Sequence, residues 1–414
     1  MKIVYFSYLY DIDGISLGAK IKAVELLSEL ENLGHEVKIY WMNRQPAETV
    51  SLGTQTRQAF KARFAKVLHE PNQILMSLKY LIKEWKIVKK EDPDIIISRL
   101  DVYKFSSVII SKLKKIPLII ELDNPVVYEF RTFQPNYRSS LTLLRFLEKL
   151  NLRHSKISFT VSNEIRNHYL EQGIAPEKIQ VISNGVNPNK FHPSIDATEV
   201  IQKYKLEDTI VIGFVGTFHY WHGVDNLVTL FKKITSLNSK VRFLMVGSGG
   251  PMKERLQEVI ELEKLQKRAI LTGFVSHDKI PQHIAAMDIV LAPYPELDFF
   301  YYSPLKVFEY MACGKPVITT RIGQNQELIS NGESGYLCDP GNLDEMIEKI
   351  LNLISNPELR ARMGQEARRS IEENHSWRVK AQNLCTLFSD TPKITEQNGA
   401  KEFEVVDPNY QEFS

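Results

Sequence analysis

The densest chemistry in the chain lies in Tyr301-Tyr302-Ser303-Pro304-Leu305-Lys306-Val307-Phe308-Glu309-Tyr310-Met311-Ala312-Cys313-Gly314-Lys315-Pro316. Ser303 is suited to cap a helix and Pro304 to open it. The free backbone N–H groups of Leu305 and Lys306 would then form an anion site, with the Lys306 ammonium adding charge. Glu309 stands three residues beyond Lys306, on the same helical face. Such a helix can hold a diphosphate at its tip and a ribose diol one turn deeper, the Glu309 carboxylate accepting from both hydroxyls. The plainer reading is a surface Lys–Glu pair on a helix stopped by Gly314.

Other polar and glycine-rich clusters follow short apolar runs. The stretch from Tyr8 to Gly18 contains Gly14, where backbone can approach a ligand closely as a helix begins, although it matches no phosphate-loop pattern and a plain turn explains it as well. Asp123, Asn124 and Pro125 end another run, as a polar site or a helix cap. Gly216-Thr217-Phe218-His219-Tyr220-Trp221-His222-Gly223 suits an anion, with His219 or His222 as hydrogen-bond donor. Gly247, Gly249 and Gly250 leave room for a flat ring or ribose, and Gly273-Phe274-Val275 repeats the arrangement. Tyr8, Tyr10, Tyr128 and Phe130 could make a sugar-stacking platform, although aromatics at such places more often pack.

The elements that must carry these clusters alternate. Lys2 to Ser7, Glu36 to Trp41, Asp94 to Ser98, Leu118 to Glu121 and Ile157 to Val161 read as strands, apolar throughout, with a helix over Ser16 to Leu33. The pattern restarts with strands at Thr209 to Val215, Val241 to Val246, Ala269 to Leu271, Ile289 to Ala292 and Val317 to Thr319. Helices are expected at Gly223 to Leu237, Pro251 to Arg268, His277 to Ala286 and Pro304 to Ala312. Continuous apolar strands between helices predict parallel sheets covered on both faces, so the fold class is α/β with two doubly wound domains. In such sheets ligands bind beyond the carboxyl ends of the strands, where the crossover direction switches. The expected division is 1–190, a linker at 191–208, a second domain at 209–375, a helix at 376–389 packing back on the first domain, and an acidic, disordered tail at 390–414.

A chain of 414 residues with 43% hydrophobic and 25% charged residues has ample core for two domains, which excludes disordered and disulfide-scaffold classes. Cys313, Cys338 and Cys385 show no zinc-type spacing, and their scarcity fits a reducing, cytoplasmic compartment. The N-terminus lacks a signal-peptide pattern, and no run reaches the roughly 18 apolar residues of a spanning helix. Residues 1–190 hold 28 Lys and Arg against 20 Asp and Glu, an excess concentrated between Arg57 and Lys90. That stretch, with Phe60, Phe64, Leu68, Leu78, Leu81, Ile82 and Trp85, could lie on an anionic membrane surface, or be a solvated face over a core stripe. Nucleic-acid signatures are missing, so that partner is not expected.

These landmarks together resemble the retaining, nucleotide-sugar-dependent glycosyltransferases of family 4. They are Leu33-Gly34-His35-Glu36-Val37, Val161-Ser162, Val181-Ile182-Ser183-Asn184-Gly185-Val186, Val246-Gly247-Ser248-Gly249, the run from Phe308 to Val317, and Glu327 with Gly335. The similarity extends from Met1 to about Phe388. It implies two Rossmann-like domains facing each other across a cleft, the GT-B arrangement, with the acceptor on the first and a nucleotide-diphosphate sugar on the second. Donor contacts are implied at Gly14, Thr217, His222, Gly247, Gly249, Phe274, Val275, Ser303, Leu305, Lys306 and Glu309, and acceptor contacts at Tyr8, Asp123 and Tyr128. Asp123, Lys306 and Glu309 would carry catalysis, with no metal and no further cofactor. The acceptor would be a glycan, a lipid-linked glycan or a small molecule, which suits cell-envelope or extracellular polysaccharide synthesis and a cytoplasmic enzyme peripheral to the membrane. Two departures stand out. The first Glu of the family's two-glutamate motif is Tyr301 here, with Glu296 or Asp298 nearby, and the usual phosphate-binding Arg and Lys are Thr217 and His222. They keep two other readings in view, a sugar-nucleotide epimerase and a catalytically silent nucleotide-binding subunit.

Overall fold

The computed structural model describes residues 1–9, 17–43, 68–136, 139–388 and 405–406. The chain divides into two compact units, Met1–Ser183 with Lys380–Ser414, and Asn184–Val379.

The first unit runs β1 (Lys2–Ser7), α1 (Leu17–Asn32), β2 (Glu36–Trp41), α2 (His69–Glu91), β3 (Ile95–Arg99), α3 (Ser106–Lys114), β4 (Leu118–Leu122), α4 (Val126–Phe133), α5 (Leu141–His154), β5 (Ile157–Thr160), α6 (Asn163–Glu171) and β6 (Ile179–Val181). Its strands pair in parallel in the order β2-β1-β3-β4-β5-β6. The second unit runs α7 (Thr198–Tyr204), β7 (Ile210–Val215), α8 (Val224–Leu237), β8 (Val241–Val246), α9 (Lys253–Leu262), β9 (Ala269–Leu271), α10 (Ile280–Ala285), β10 (Ile289–Ala292), α11 (Leu305–Ala312), β11 (Val317–Thr320), α12 (Asn325–Leu328), β12 (Gly335–Cys338), α13 (Leu343–Ser355) and α14 (Pro357–Ser370). Its parallel order is β12-β11-β10-β7-β8-β9, so the crossover direction reverses between β10 and β7. The strand pleat splits the apolar residues of these central strands between two cores. Val211, Val215, Leu244, Val246, Val290 and Ala292 face one, and Ile212, Phe214, Phe243, Met245, Ile289 and Leu291 face the other.

Two boundary expectations are corrected. The division falls after Ser183 rather than at 190, and residues 191–208 are no free linker. Phe191, Val200 and Leu206 are buried in the core that holds Val211 and Val215, and the Arg368 guanidinium donates to the Phe191 carbonyl oxygen at 2.7 Å. Packing of these three apolar side chains ties down a segment whose Asn and Pro content read as a connector. The last helix, α15 (Trp377–Thr386), starts in the second unit, and from Lys380 the chain belongs to the first. There the Cys385 sulfur lies 3.4 Å from His35 Nε2. The tail at 390–414 lies outside the described residues except for β13 (Val405–Val406), which pairs in parallel with β2.

Helix α2 also departs from expectation. It buries Ser77, Tyr80, Glu84, Val88 and Glu91, while Leu68, just before it, and Leu78 and Ile82 within it are exposed, so the supposed core stripe faces outward. Residues 57–67 of the basic stretch lie outside the described residues. The buried face is satisfied by hydrogen bonds. Glu84 accepts from Tyr8 at 2.7 Å, from Ser107 at 2.8 Å and from Ser106. Burial pushes its carboxyl from an ordinary value of 4.5 up to about 7, against the pull of those hydroxyls and of Lys104. A folded value raised in this way contributes stability that is present below the unfolded pKa and is lost as pH rises through about 7. Glu84→Gln is therefore expected to flatten the decline of the melting temperature over this range relative to the native chain. Parallel pH curves for the two proteins would remove this assignment.

Candidate functional site

At the β7/β10 switch point, three turns meet the start of α11. β7 ends at Val215, whose N–H donates to the Tyr310 hydroxyl oxygen at 2.6 Å, and this pins α11 to the strand end. The turn after β7 passes Gly216 at φ +143° and the turn after β8 passes Gly247 at φ +145°, both in backbone regions that favour glycine. A Cβ on Gly247 would overlap the Gly216 carbonyl, and a Cβ on Gly216 would sit 2.7 Å from Lys306 Nζ. Gly247 also bridges Gly273 in the turn after β9. Without side chains, these backbones close up against the lysine.

The Lys306 Nζ is buried and has no hydrogen-bond partner among the described residues. It lies 4.3 Å from the centre of the Phe214 ring and 5.7 Å from that of Tyr294. Burial brings its pKa down to about 7, opposed by the Glu309 charge. No acceptor among the described residues pairs with the backbone N–H groups of Leu305 and Lys306 at the helix tip. Ser303 is not their cap. The helix starts after Pro304, and the Ser303 hydroxyl oxygen instead accepts from the Asn184 N–H at 3.1 Å. Its carbonyl oxygen accepts from the Asn184 amide at 2.7 Å.

His222 also departs from its expected role. Its Nδ1 lies 2.7 Å from the Thr217 carbonyl oxygen and 3.3 Å from the Thr217 hydroxyl. Burial first, and the Lys306 charge second, lower its pKa to about 3, so the ring is neutral, donates to Thr217 and supplies no positive charge. Glu309 is 8% exposed and one oxygen lies 2.9 Å from His277 Nε2, a contact that sequence reasoning missed. The signal was there only as a histidine two residues beyond Val275. Tyr301 is buried, its ring centre 4.4 Å from that of Tyr302, while Glu296 and Asp298 are exposed. A cavity of about 280 Å³ adjoins the β9 turn, lined among others by Phe274, Val275, Ser276, Lys279 and Tyr204. Lys306, Glu309, Gly247 and Gly249 are not among its lining residues, so the implied donor residues fall into two neighbouring groups. Gly14 and Tyr10 lie outside the described residues.

In the first unit the three implied acceptor residues occupy separate surroundings. Tyr8 is 1% exposed and donates to Glu84, which rules it out as a stacking platform. Tyr128 is half-buried, its ring 6.4 Å from that of His168. Asp123 pairs with Lys22 and Arg99, and Lys22 also pairs with Glu121 at 2.6 Å. Although burial opposes it, the two cations hold the Asp123 carboxyl below its ordinary range, so the group is an ionised acceptor.

Comparison with known proteins agrees with this architecture. A family model described as Glycosyltransferase Family 4 matches residues 18–190, and one described as Glycosyl transferases group 1 matches residues 196–370. The chain belongs to these group 1, family 4 glycosyltransferases. It is 28% identical over 258 residues to N-acetyl-alpha-D-glucosaminyl L-malate synthase of Bacillus anthracis, covering 62% of this chain and 65% of that protein. It is 27% identical over 265 residues to the capsular polysaccharide biosynthesis glycosyltransferase CapM of Staphylococcus aureus, covering 61% of this chain and 67% of that one. Matches to the first curated relatives thus span 48% to 65% of those proteins' lengths. Among solved structures, Anabaena HepE in complex with UDP and glucose superposes with a TM-score of 0.68 at 20% identity, covering 94% of this chain and all of that one. Sucrose-phosphate synthase of Thermosynechococcus elongatus gives 0.70 at 17% identity, covering 94% and 98%. At such identities the likeness is one of fold, the GT-B fold.

A diphosphate seated beside Lys306 would restore the ammonium. Binding of a nucleoside diphosphate is therefore expected to take up as much as one proton above pH of about 7, and to weaken as pH rises further. Calorimetry in two buffers of different ionisation enthalpy measures this uptake. It should vanish in Lys306→Met, and equal uptake in both proteins would exclude Lys306 as its source.

Proposed function

We propose that the protein is a retaining, metal-independent glycosyltransferase that moves a sugar from a nucleotide-diphosphate sugar to an acceptor hydroxyl in polysaccharide or glycoconjugate synthesis. The observation that carries this reading is the buried, unpartnered Lys306 ammonium beside the free N–H groups of α11. Together they form a preorganised site for the charge that develops on a leaving diphosphate. Glu309 receives the ribose diol, and the cavity at Phe274 and Val275 offers an aromatic wall for the base. In a front-face reaction the bond from the anomeric carbon to the diphosphate oxygen breaks and a bond to the acceptor oxygen forms on the same face. The acceptor's proton passes to the departing diphosphate. Asp123, held ionised by Lys22 and Arg99, accepts a hydrogen bond from a substrate hydroxyl rather than moving a proton.

The reading is tested by thermal unfolding with excess UDP, GDP and ADP, free and as sugar nucleotides. A ligand at about 100 times its dissociation constant stabilises the native state by about 2.7 kcal/mol. Stabilisation by one base is expected, with transfer from its sugar nucleotide, and Lys306→Ala and Glu309→Ala should each lower turnover by about 100-fold or more with the fold intact. Binding without turnover would favour a silent nucleotide-binding subunit, and turnover without an acceptor an epimerase.

The same proposal includes a cytoplasmic location with the acceptor met at an anionic membrane surface. Among the described residues no helix is long and apolar enough to cross a membrane. On α2, however, Leu75, Leu78 and Ile82 are 52%, 46% and 62% exposed, interleaved with exposed Lys79, Lys86, Lys89 and Lys90. Apolar side chains set among lysines match the interface of an anionic bilayer. Sedimentation with anionic vesicles at low salt should exceed that with neutral vesicles, and Ile82→Glu should reduce it. Equal sedimentation with both vesicle types would remove the membrane.

A further inference from the structure

Glu309 is not held by its own helix. His277, in the loop between β9 and α10, lies between two charged side chains. Its Nε2 is 2.9 Å from Glu309 Oε1, and its Nδ1 is 2.9 Å from the Lys190 ammonium. An ammonium has three donors and no acceptor, so Nδ1 must offer its lone pair to Lys190. The ring proton then sits on Nε2, which donates to the carboxylate. The opposite tautomer would set an N–H against the ammonium and a lone pair against the carboxylate, two repulsive contacts in place of two hydrogen bonds. The Phe191 ring, 5.5 Å centre to centre from the imidazole, packs against it and limits its rotation. The contact to His277 uses Oε1 alone, and no hydrogen bond of Glu309 Oε2 is found among the described residues.

We propose that His277 is a positioning residue, locked as the Nε2–H tautomer by Lys190, that fixes the Glu309 carboxylate with Oε2 presented to the nucleotide ribose. By this it sets the preference of the site for ribonucleotides over 2′-deoxyribonucleotides. The proposal rests on the donor-site reading above, and it assigns a role to two residues outside that reading. A carboxylate free to rotate would still attract a hydroxyl, but it would hold neither oxygen in place for the diol. The contribution of a diol contact depends on that orientation, because an acceptor off the hydrogen-bond line loses most of the bond.

The test measures dissociation constants for whichever of UDP, GDP and ADP binds, and for its 2′-deoxy counterpart, and compares their ratio across variants of the full chain. In the native protein the ribonucleotide should bind more tightly by about tenfold, the value of one hydrogen bond to a charged group. Glu309→Ala should bring the ratio close to one. His277→Leu should do the same by weakening the ribonucleotide and leaving its 2′-deoxy counterpart within about twofold. His277→Gln, whose amide N–H can stand where Nε2–H stood, should keep most of the native ratio. Lys190→Met frees the ring to adopt the other tautomer and should lower the ratio part of the way. This variant also serves as the readout should His277→Leu not fold. Lys306→Ala should weaken both ligands alike and leave the ratio unchanged. A ratio that collapses in Glu309→Ala yet keeps its native value in both His277→Leu and Lys190→Met overturns the role of His277 while leaving the donor site standing. A ratio unmoved by Glu309→Ala, or no binding of any nucleotide, overturns the donor-site reading and this proposal with it.

Discussion

A buried ammonium with no acceptor is a costly group to fold around, because the interior replaces none of the hydration it loses. The second unit holds Lys306 in that condition at its switch point. Phe214 and Tyr294 supply ring faces in place of oxygen atoms, a weaker compensation, and the lysine gives up much of its hold on a proton. Around it the fold is determined by backbone. Gly216 and Gly247 adopt conformations other residues avoid, and the Val215 N–H anchors Tyr310, which fixes where α11 begins. The lysine and the free N–H groups at the start of α11 are held in place by the fold itself, so they need no reorganisation.

The first unit handles charge in the opposite way. Lys22, Arg99, Glu121 and Asp123 form a closed set of two cations and two carboxylates at the ends of β3 and β4, with Tyr5 donating to Glu121. Each charge is compensated within the cluster, so nothing there calls for an ionic ligand, and a substrate would meet an ionised oxygen acceptor. Beneath α2 the same economy applies to Glu84, whose hydroxyl partners Tyr8, Ser106 and Ser107 occupy it fully. The Lys22–Asp123 cluster is thus closed on itself, whereas Lys306 in the second unit is left without an acceptor among the described residues.

Much of this was legible in the residues. The apolar strand runs match the observed strands to within a residue at most ends, because side chains buried on both faces of a parallel sheet leave an unbroken apolar signal. Lys306, Glu309 and the glycines of the β7 and β8 turns were recognisable since strand ends and helix starts can be located from local pattern alone. Of the two readings of the basic stretch, the core stripe fails on α2 for the same reason. Leu78 and Ile82 look like core residues in any helical projection, but the face that packs carries Tyr80, which donates to Asn43 just beyond β2, and Glu84, which accepts from Tyr8 just beyond β1 and from Ser106 and Ser107 of α3.

What the sequence determined by itself, then, was most of the strands, their alternation with helices and the placing of chemistry at their ends, all of which depend on residues near one another in the chain; the short β6 and β12 were not among them. The tertiary structure alone decided which of those groups keep a free valence. Ser303 was taken by Asn184, Tyr8 by Glu84 and Asp123 by Lys22, partners 119, 76 and 101 residues away in the chain. His277 was brought onto Glu309 across 32 residues, and Lys190 onto His277 across 87. Hydrogen bonding and desolvation act through space over a few ångströms, so the charge, tautomer and availability of a side chain are set by neighbours that only folding supplies.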